Sequence, residues 1–204
     1  MTNFTARGAA ILAALATALF LSSCTSQESG NATDGHTEHQ HSETKDSAGQ
    51  AAHNADDVAF ATQMMPHHKQ ALELTDLARD RSTDPALLEL AAGIAAVQGP
   101  EMGQLADMLR GWGENPDADM GHGAHSSMPG MVDDTTLSRL RSLNGKEFDT
   151  LWLESMINHH QGAVEMAKAE LANGQDAGAK EMAQHIVDTQ QAEIDQMRKM
   201  LGGG

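Results

Sequence analysis

Met64-Met65-Pro66-His67-His68 and, 92 positions further on, Met156-Ile157-Asn158-His159-His160 are the stretches that decide the fold. At the same offset, with no gap, Phe60 pairs with Trp152, Ala71 with Ala163, Glu73 with Glu165, Leu74 with Met166, Ile94 with Ile186, Gln98 with Gln190, Glu101 with Glu193 and Met108 with Met200. Matched spacing sustained over such a length is the mark of an internal repeat. It predicts two copies of one unit, at 56–112 and 147–204.

Each unit reads as two helices. Phe60, Met64, His67, Leu74 and Ala78 fall on one helical stripe, and Leu87, Leu90, Ile94, Leu105 and Met108 on a second. Between them, Ser82-Thr83-Asp84-Pro85 supplies a capping residue followed by proline at the first helical position. Asn173-Gly174 and Gly178 mark the corresponding break in the second unit. A two-helix hairpin cannot bury its apolar stripe alone, so two copies are expected to pack as an all-α four-helix bundle over 56–201. About 150 residues suffice for one such core. Asp134 to Leu143, ended by Asn144-Gly145, reads as an extra short helix opening the segment 134–204. The chain has no Tyr and no alternating β-branched runs, so strands are not expected.

The N-terminal segment has a different task. Arg7 is the only charge before a run from Ala9 to Leu21 that is apolar apart from Thr17 and too short for a comfortable membrane span. It ends at Leu21-Ser22-Ser23-Cys24, which resembles the lipobox of bacterial lipoproteins. The expectation is a signal peptide over 1–23, cleaved to leave Cys24 as an acylated N-terminus that holds the protein on the outer side of a membrane. Cys24 is the only cysteine, which excludes a disulfide framework or a thiolate cluster within one chain. Residues 24–55 are polar, carry His36, His39, His41 and His53, and offer nothing to offset the entropy of ordering; they are expected to form a disordered stalk. With 29 Asp and Glu against 13 Lys and Arg the formal charge is −16. That excess excludes nucleic acid, whose phosphates need cationic partners, and suits a metal ion.

The chemistry is concentrated in the two His-His pairs. His67 and His68 lie three and four residues after Met64, and His159 and His160 repeat the spacing after Met156, so a thioether and imidazoles share a helix face in each copy. Gln98 with Glu101, and Gln190 with Glu193, share a face of the following helix beside Ile94 and Ile186. A carboxylate there needs a counter-ion, a hydrogen bond or a metal. His185 is a further candidate in the second copy, where the first has Gly93. One histidine on an apolar stripe is ordinarily a hydrogen-bonded core residue, and a methionine stripe ordinarily packing. Two adjacent histidines in both copies, with Met before and Gln/Glu opposite, point instead to a ligand set or to a polar network built around one.

A second constellation is the linker 113–133, where Met120, His122, His125, Met128 and Met131 stand among Gly, Ala, Ser and Pro. Thioether with imidazole is the donor set that a soft ion selects. Copper, with Cu(I) favoured, is therefore the expected ion; Zn, Fe or another transition metal are the alternatives. Imidazole at its ordinary pKa predicts affinity falling below about pH 6. The helical core has no Glu-x-x-His pair for a di-iron carboxylate site, and neither a haem-attachment motif nor a nucleotide fingerprint occurs. No nucleophile with base and orienter stands out, so binding is expected rather than catalysis. The other readings are a metal oxidase on a ferritin-like bundle and a structural or partner-binding envelope module with a buried His network.

Taken together, Phe60-x-x-x-Met64-Met65-Pro66-His67-His68-x-x-Ala71, its counterpart from Trp152 to Ala167, and Ile94-x-x-x-Gln98-x-x-Glu101 with Ile186-x-x-x-Gln190-x-x-Glu193 resemble the domain of unknown function 305 family, over about 56–201. Its members include CopM-like copper-binding proteins. The resemblance implies a ferritin-like four-helix fold and, for some members, periplasmic copper binding. It points to Met64, His67, His68, Met156, His159 and His160, with the Gln and Glu residues opposite. Pro100, after Gly99, departs from the second copy's pattern and is expected to kink the helix just before Glu101.

Overall fold

Asn54 starts the first helix. Its side chain accepts the backbone N–H groups of Asp56 and Asp57 while the Asp57 carboxylate accepts the N–H of Asn54, so the free donors of the first turn are satisfied reciprocally. In the computed structural model, which describes residues 53–117 and 128–202, α1 spans Ala55–Arg81 and α2 spans Pro85–Trp112. Asp84 caps α2 by accepting from Ala86 and Leu87, with Pro85 at the first position, where its missing N–H costs nothing. Gly113, at φ 85°, ends it in the left-handed region that favours glycine. The short helix α3 is Asp134–Ser142; α4 is Gly145–Asn173 and α5 is Ala177–Gly202. Among the described residues there is no strand, and no helix is long and apolar enough to cross a membrane. The expected all-α bundle with a short additional helix is the observed architecture.

α1 pairs with α2, α4 pairs with α5, and the two hairpins meet through α1 and α4. These two run antiparallel: Trp152, early in α4, donates its indole N–H to the Leu74 carbonyl late in α1 at 2.8 Å, and His159 meets His67 midway along both. Antiparallel crossing divides the interior in two. One apolar core is built on Leu74, Leu87, Ile94, Phe148, Trp152 and Met156, with Ile194 and Met197 from α5. The other is built on Phe60, Met64, Leu105, Leu109, Met166 and Ile186.

Proline interrupts two helices without ending them. Pro66 lies within α1 and Pro100 within α2, and each helix continues past it. Neither can donate to the carbonyl four residues back, Thr62 and Ala96 respectively. The proposed signal peptide, Cys24, the stalk as far as residue 52, and Met120, His122 and His125 lie outside the described residues.

Candidate metal centre

Between the two apolar cores runs a belt of polar side chains drawn from all four long helices. His67, His68, His159 and His160 are fully buried, and Gln98, Glu101 and Gln190 nearly so. Helical spacing puts them there: each His-His pair falls midway along a 27- or 29-residue helix, its first ring facing the other hairpin and its second facing the partner helix of its own hairpin. At the centre the rings of His67 and His159 lie 3.8 Å apart, tilted by 35°. Flanking them, His68 Nε2 stands 2.8 Å from Glu101 Oε2, and His160 Nε2 stands 2.8 Å from Glu193 Oε2. The bend expected at Pro100 does not misplace Glu101, whose contact has the same length as that of Glu193.

These partners fix which imidazole nitrogen is free. A carboxylate oxygen only accepts, so Nε2 of His68 and of His160 carries the proton. His67 Nε2 likewise donates to the Pro129 carbonyl at 3.2 Å. In all three rings, and in His159, Nδ1 is buried without a protein partner; His159 Nε2, both amide atoms of Gln98 and the amide oxygen of Gln190 share that condition. Burial pushes the pKa of His67 down to about 3, helped by the neighbouring His68, and holds His159 well below the ordinary imidazole range, helped by His67 and His160. The central rings are therefore neutral, with lone pairs directed at no protein donor. Unpaired polar atoms of this kind cost about 1–3 kcal/mol each, and imidazoles held by a carboxylate or carbonyl on one nitrogen are the usual form of a metal-ligating histidine.

A strap from the interhelical linker closes the outer face of α1 and α4 over this centre. Gln70 grips it by a double hydrogen bond to Val132, Nε2 to the carbonyl at 2.9 Å and Oε1 from the N–H at 2.8 Å. On the other side the strap lies on Gly162, where a side chain would put its first carbon 2.0 Å from the Pro129 carbonyl oxygen. Within the strap Met128 is buried and Met131 is half-buried.

The candidate residues thus separate by place. The four histidines meet in the belt with Gln98, Glu101, Gln190 and Glu193, the two glutamates being engaged as orienting partners of His68 and His160. Met64 and Met156 are fully buried in different apolar cores, on opposite sides of the belt. His185 lies at the rim, mostly exposed, its Nε2 3.7 Å from Glu101 Oε1. Among the described residues no three His, Cys, Asp or Glu side chains converge on one ion position, so a complete shell would need the thioethers, the amides or a shift of the rings. Pro129, Gln70 and Gly162 were not found from the sequence. The available signal was that Gln70 and Gly162 occupy matched positions of the two units yet differ in kind.

The domain of unknown function (DUF305) model matches residues 57–201. Among curated proteins none matches the chain. Of solved structures, a DUF305 protein of Streptomyces coelicolor taken to be secreted is 31% identical, with 72% of this chain and 93% of that one covered and a TM-score of 0.67. A DUF305 fragment from Deinococcus radiodurans is 32% identical over 74% and 98%, with a TM-score of 0.68. CopM in its Cu(I)-bound form is 26% identical over 72% and 96%, with a TM-score of 0.62; Cu(II)-bound, Ag-bound and apo forms of CopM match as well. With the matched region spanning both hairpins and all four belt histidines, the chain belongs to the DUF305 family.

Proposed function

We propose that this chain is an extracytoplasmic, lipid-anchored metal-binding protein that takes copper, Cu(I) foremost, as cargo to be buffered or delivered. The observation that carries the reading is the set of four fully buried imidazoles with an unpartnered Nδ1 on each. Neutral imidazole suits copper, and the thioethers of Met64 and Met156, in the apolar cores on either side of the belt, are the soft donors that would favour the reduced ion; CopM, similar over most of its length, has been crystallised with Cu(I), Cu(II) and silver. The two hairpins are on this reading copies of one unit that share a centre where α1 crosses α4. Met120, His122, His125, Met128 and Met131 would be a second set of ligands that collects the ion, and Cys24 would carry the lipid.

The test is metal content by mass spectrometry after exposure to Cu(I), Cu(II), Zn and Fe, on the chain and on a variant with His67, His68, His159 and His160 all changed to alanine. Stoichiometric copper lost in the variant supports the belt. Copper retained by a folded variant moves binding to the Met120–Met131 segment. No bound metal leaves a buried His network whose task is packing.

A further inference from the structure

Glu101 touches two environments at once. Its Oε2 holds His68 inside the bundle, whereas its Oε1 is buried without a hydrogen-bond partner and faces His185 at 3.7 Å. The residue itself is 5% exposed, so this is a carboxylate oxygen in the wall of the molecule that no hydrogen bond satisfies and that only the long contact to His185 reaches, an arrangement a visiting cation would relieve. Beside it runs a groove of about 550 Å³ between α2 and α5, lined by Val97, Pro100, Met108 and Met182 as well as Glu101 and His185. Imidazole, carboxylate and two thioethers thus share one solvent-reached groove whose inner wall is the carboxylate that holds His68. Pro100 adds to it, since without an N–H it leaves the Ala96 carbonyl, on the same wall, lacking its helical donor.

We infer that the α2–α5 groove is the port by which a copper ion reaches the belt, with His185 and Oε1 of Glu101 as its first ligands and His68 next in line. The inference rests on the belt being the metal centre. It makes the molecule functionally one-sided: the position matching His185 is Gly93, so Glu193 and His160 have no such outer partner. Nothing obstructs a side chain at Gly93, whose added Cβ would meet no atom within 4 Å.

The test follows transfer of Cu(I) to the full chain from a coloured bis-chelator complex by loss of absorbance, together with the final copper content. His185→Ala removes a mostly exposed side chain, a change that leaves the fold and its melting temperature essentially as in the parent. Loss of one outer partner is expected to slow transfer about tenfold, the low end of what such groups contribute to metal binding, with final content unchanged. Gly93→His in the same background should recover the rate through the opposite face. Transfer by His185→Ala at the parental rate, with copper content intact, overturns the port and leaves the belt standing. A fall in final content with no change in rate overturns it too, since His185 would then be a resident ligand. A parent chain that takes up no copper overturns the belt, and the port with it.

Discussion

At the scale of single residues, the belt works by opposing two demands on one ring. Burial keeps an imidazole neutral, while the hydrogen bond on Nε2 keeps its other lone pair clear. Glu193 has no second contact of the kind Glu101 makes, so it isolates the orienting role. Glu193→Gln retains an acceptor but removes its charge; Cu(I) affinity measured by chelator competition should fall about 10- to 100-fold. An unchanged affinity would remove Glu193 from the site. A separate carboxyl pair lies away from the belt, where Asp57 accepts the N–H groups of Asn54, Gln175 and Asp176 beside the buried Glu170. Burial pulls Asp57 upward, but those N–H groups outweigh it and hold its carboxyl below the usual range. Glu170 has no such donors, and burial, then Asp57, push it up to about 8 against an ordinary 4.5. A carboxyl raised on folding binds its proton more tightly in the folded state, so its contribution is full below pH 4.5 and is lost as pH rises to about 8. Glu170→Gln should therefore leave the urea midpoint unchanged at pH 5 and raise stability by about 1–3 kcal/mol at pH 9. Equal effects at both pH values would count against a buried Glu170 that keeps its proton.

At the scale of elements, the helices were legible because each boundary is written in local chemistry. Asp84-Pro85 starts α2 where capping rules place it, and the periodic stripe from Phe60 to Ala78 does become the buried face of α1. Pro100 neither ends α2 nor displaces Glu101, whose contact with His68 matches that of Glu193 with His160. The strap was illegible for a physical reason: residues 128–132 have no periodicity, and what fixes them is a glutamine and the absence of a side chain on two distant helices. Gly162→Ala tests this. Its methyl group cannot coexist with Pro129 in place, so the strap must lift, at a cost of about 1–3 kcal/mol. Hydrogen exchange at the Val132 N–H, bound to Gln70 in the parent, should accelerate. Gly103→Ala in α2, where nothing lies within 4 Å, should instead stabilise by about 0.5–1 kcal/mol. If both alanines behave alike in thermal melts, the strap is not seated on Gly162.

At the scale of the whole molecule, two apolar cores are held apart by a belt that is costly to bury, and pH shows what that arrangement is for. The His-His pairs were readable as candidates from their spacing, but the effect of burial on them was not: imidazole at its ordinary pKa predicts copper loss below about pH 6. With His67 at about 3 and His159 also depressed, the folded state stays neutral where the unfolded chain takes up protons. A histidine whose pKa is lowered on folding contributes stability that is full above 6.5 and is lost as pH falls toward 3. Protons should therefore compete for the belt by unfolding the bundle rather than by titrating a standing site. Copper retention and near-ultraviolet circular dichroism followed together from pH 7 to pH 4 should fall in one transition, with the copper-loaded protein shifted to lower pH by mass action. Copper that leaves near pH 6 while the fold persists would mean that its ligands lie outside the buried belt, and that the buried rings serve the packing of the bundle.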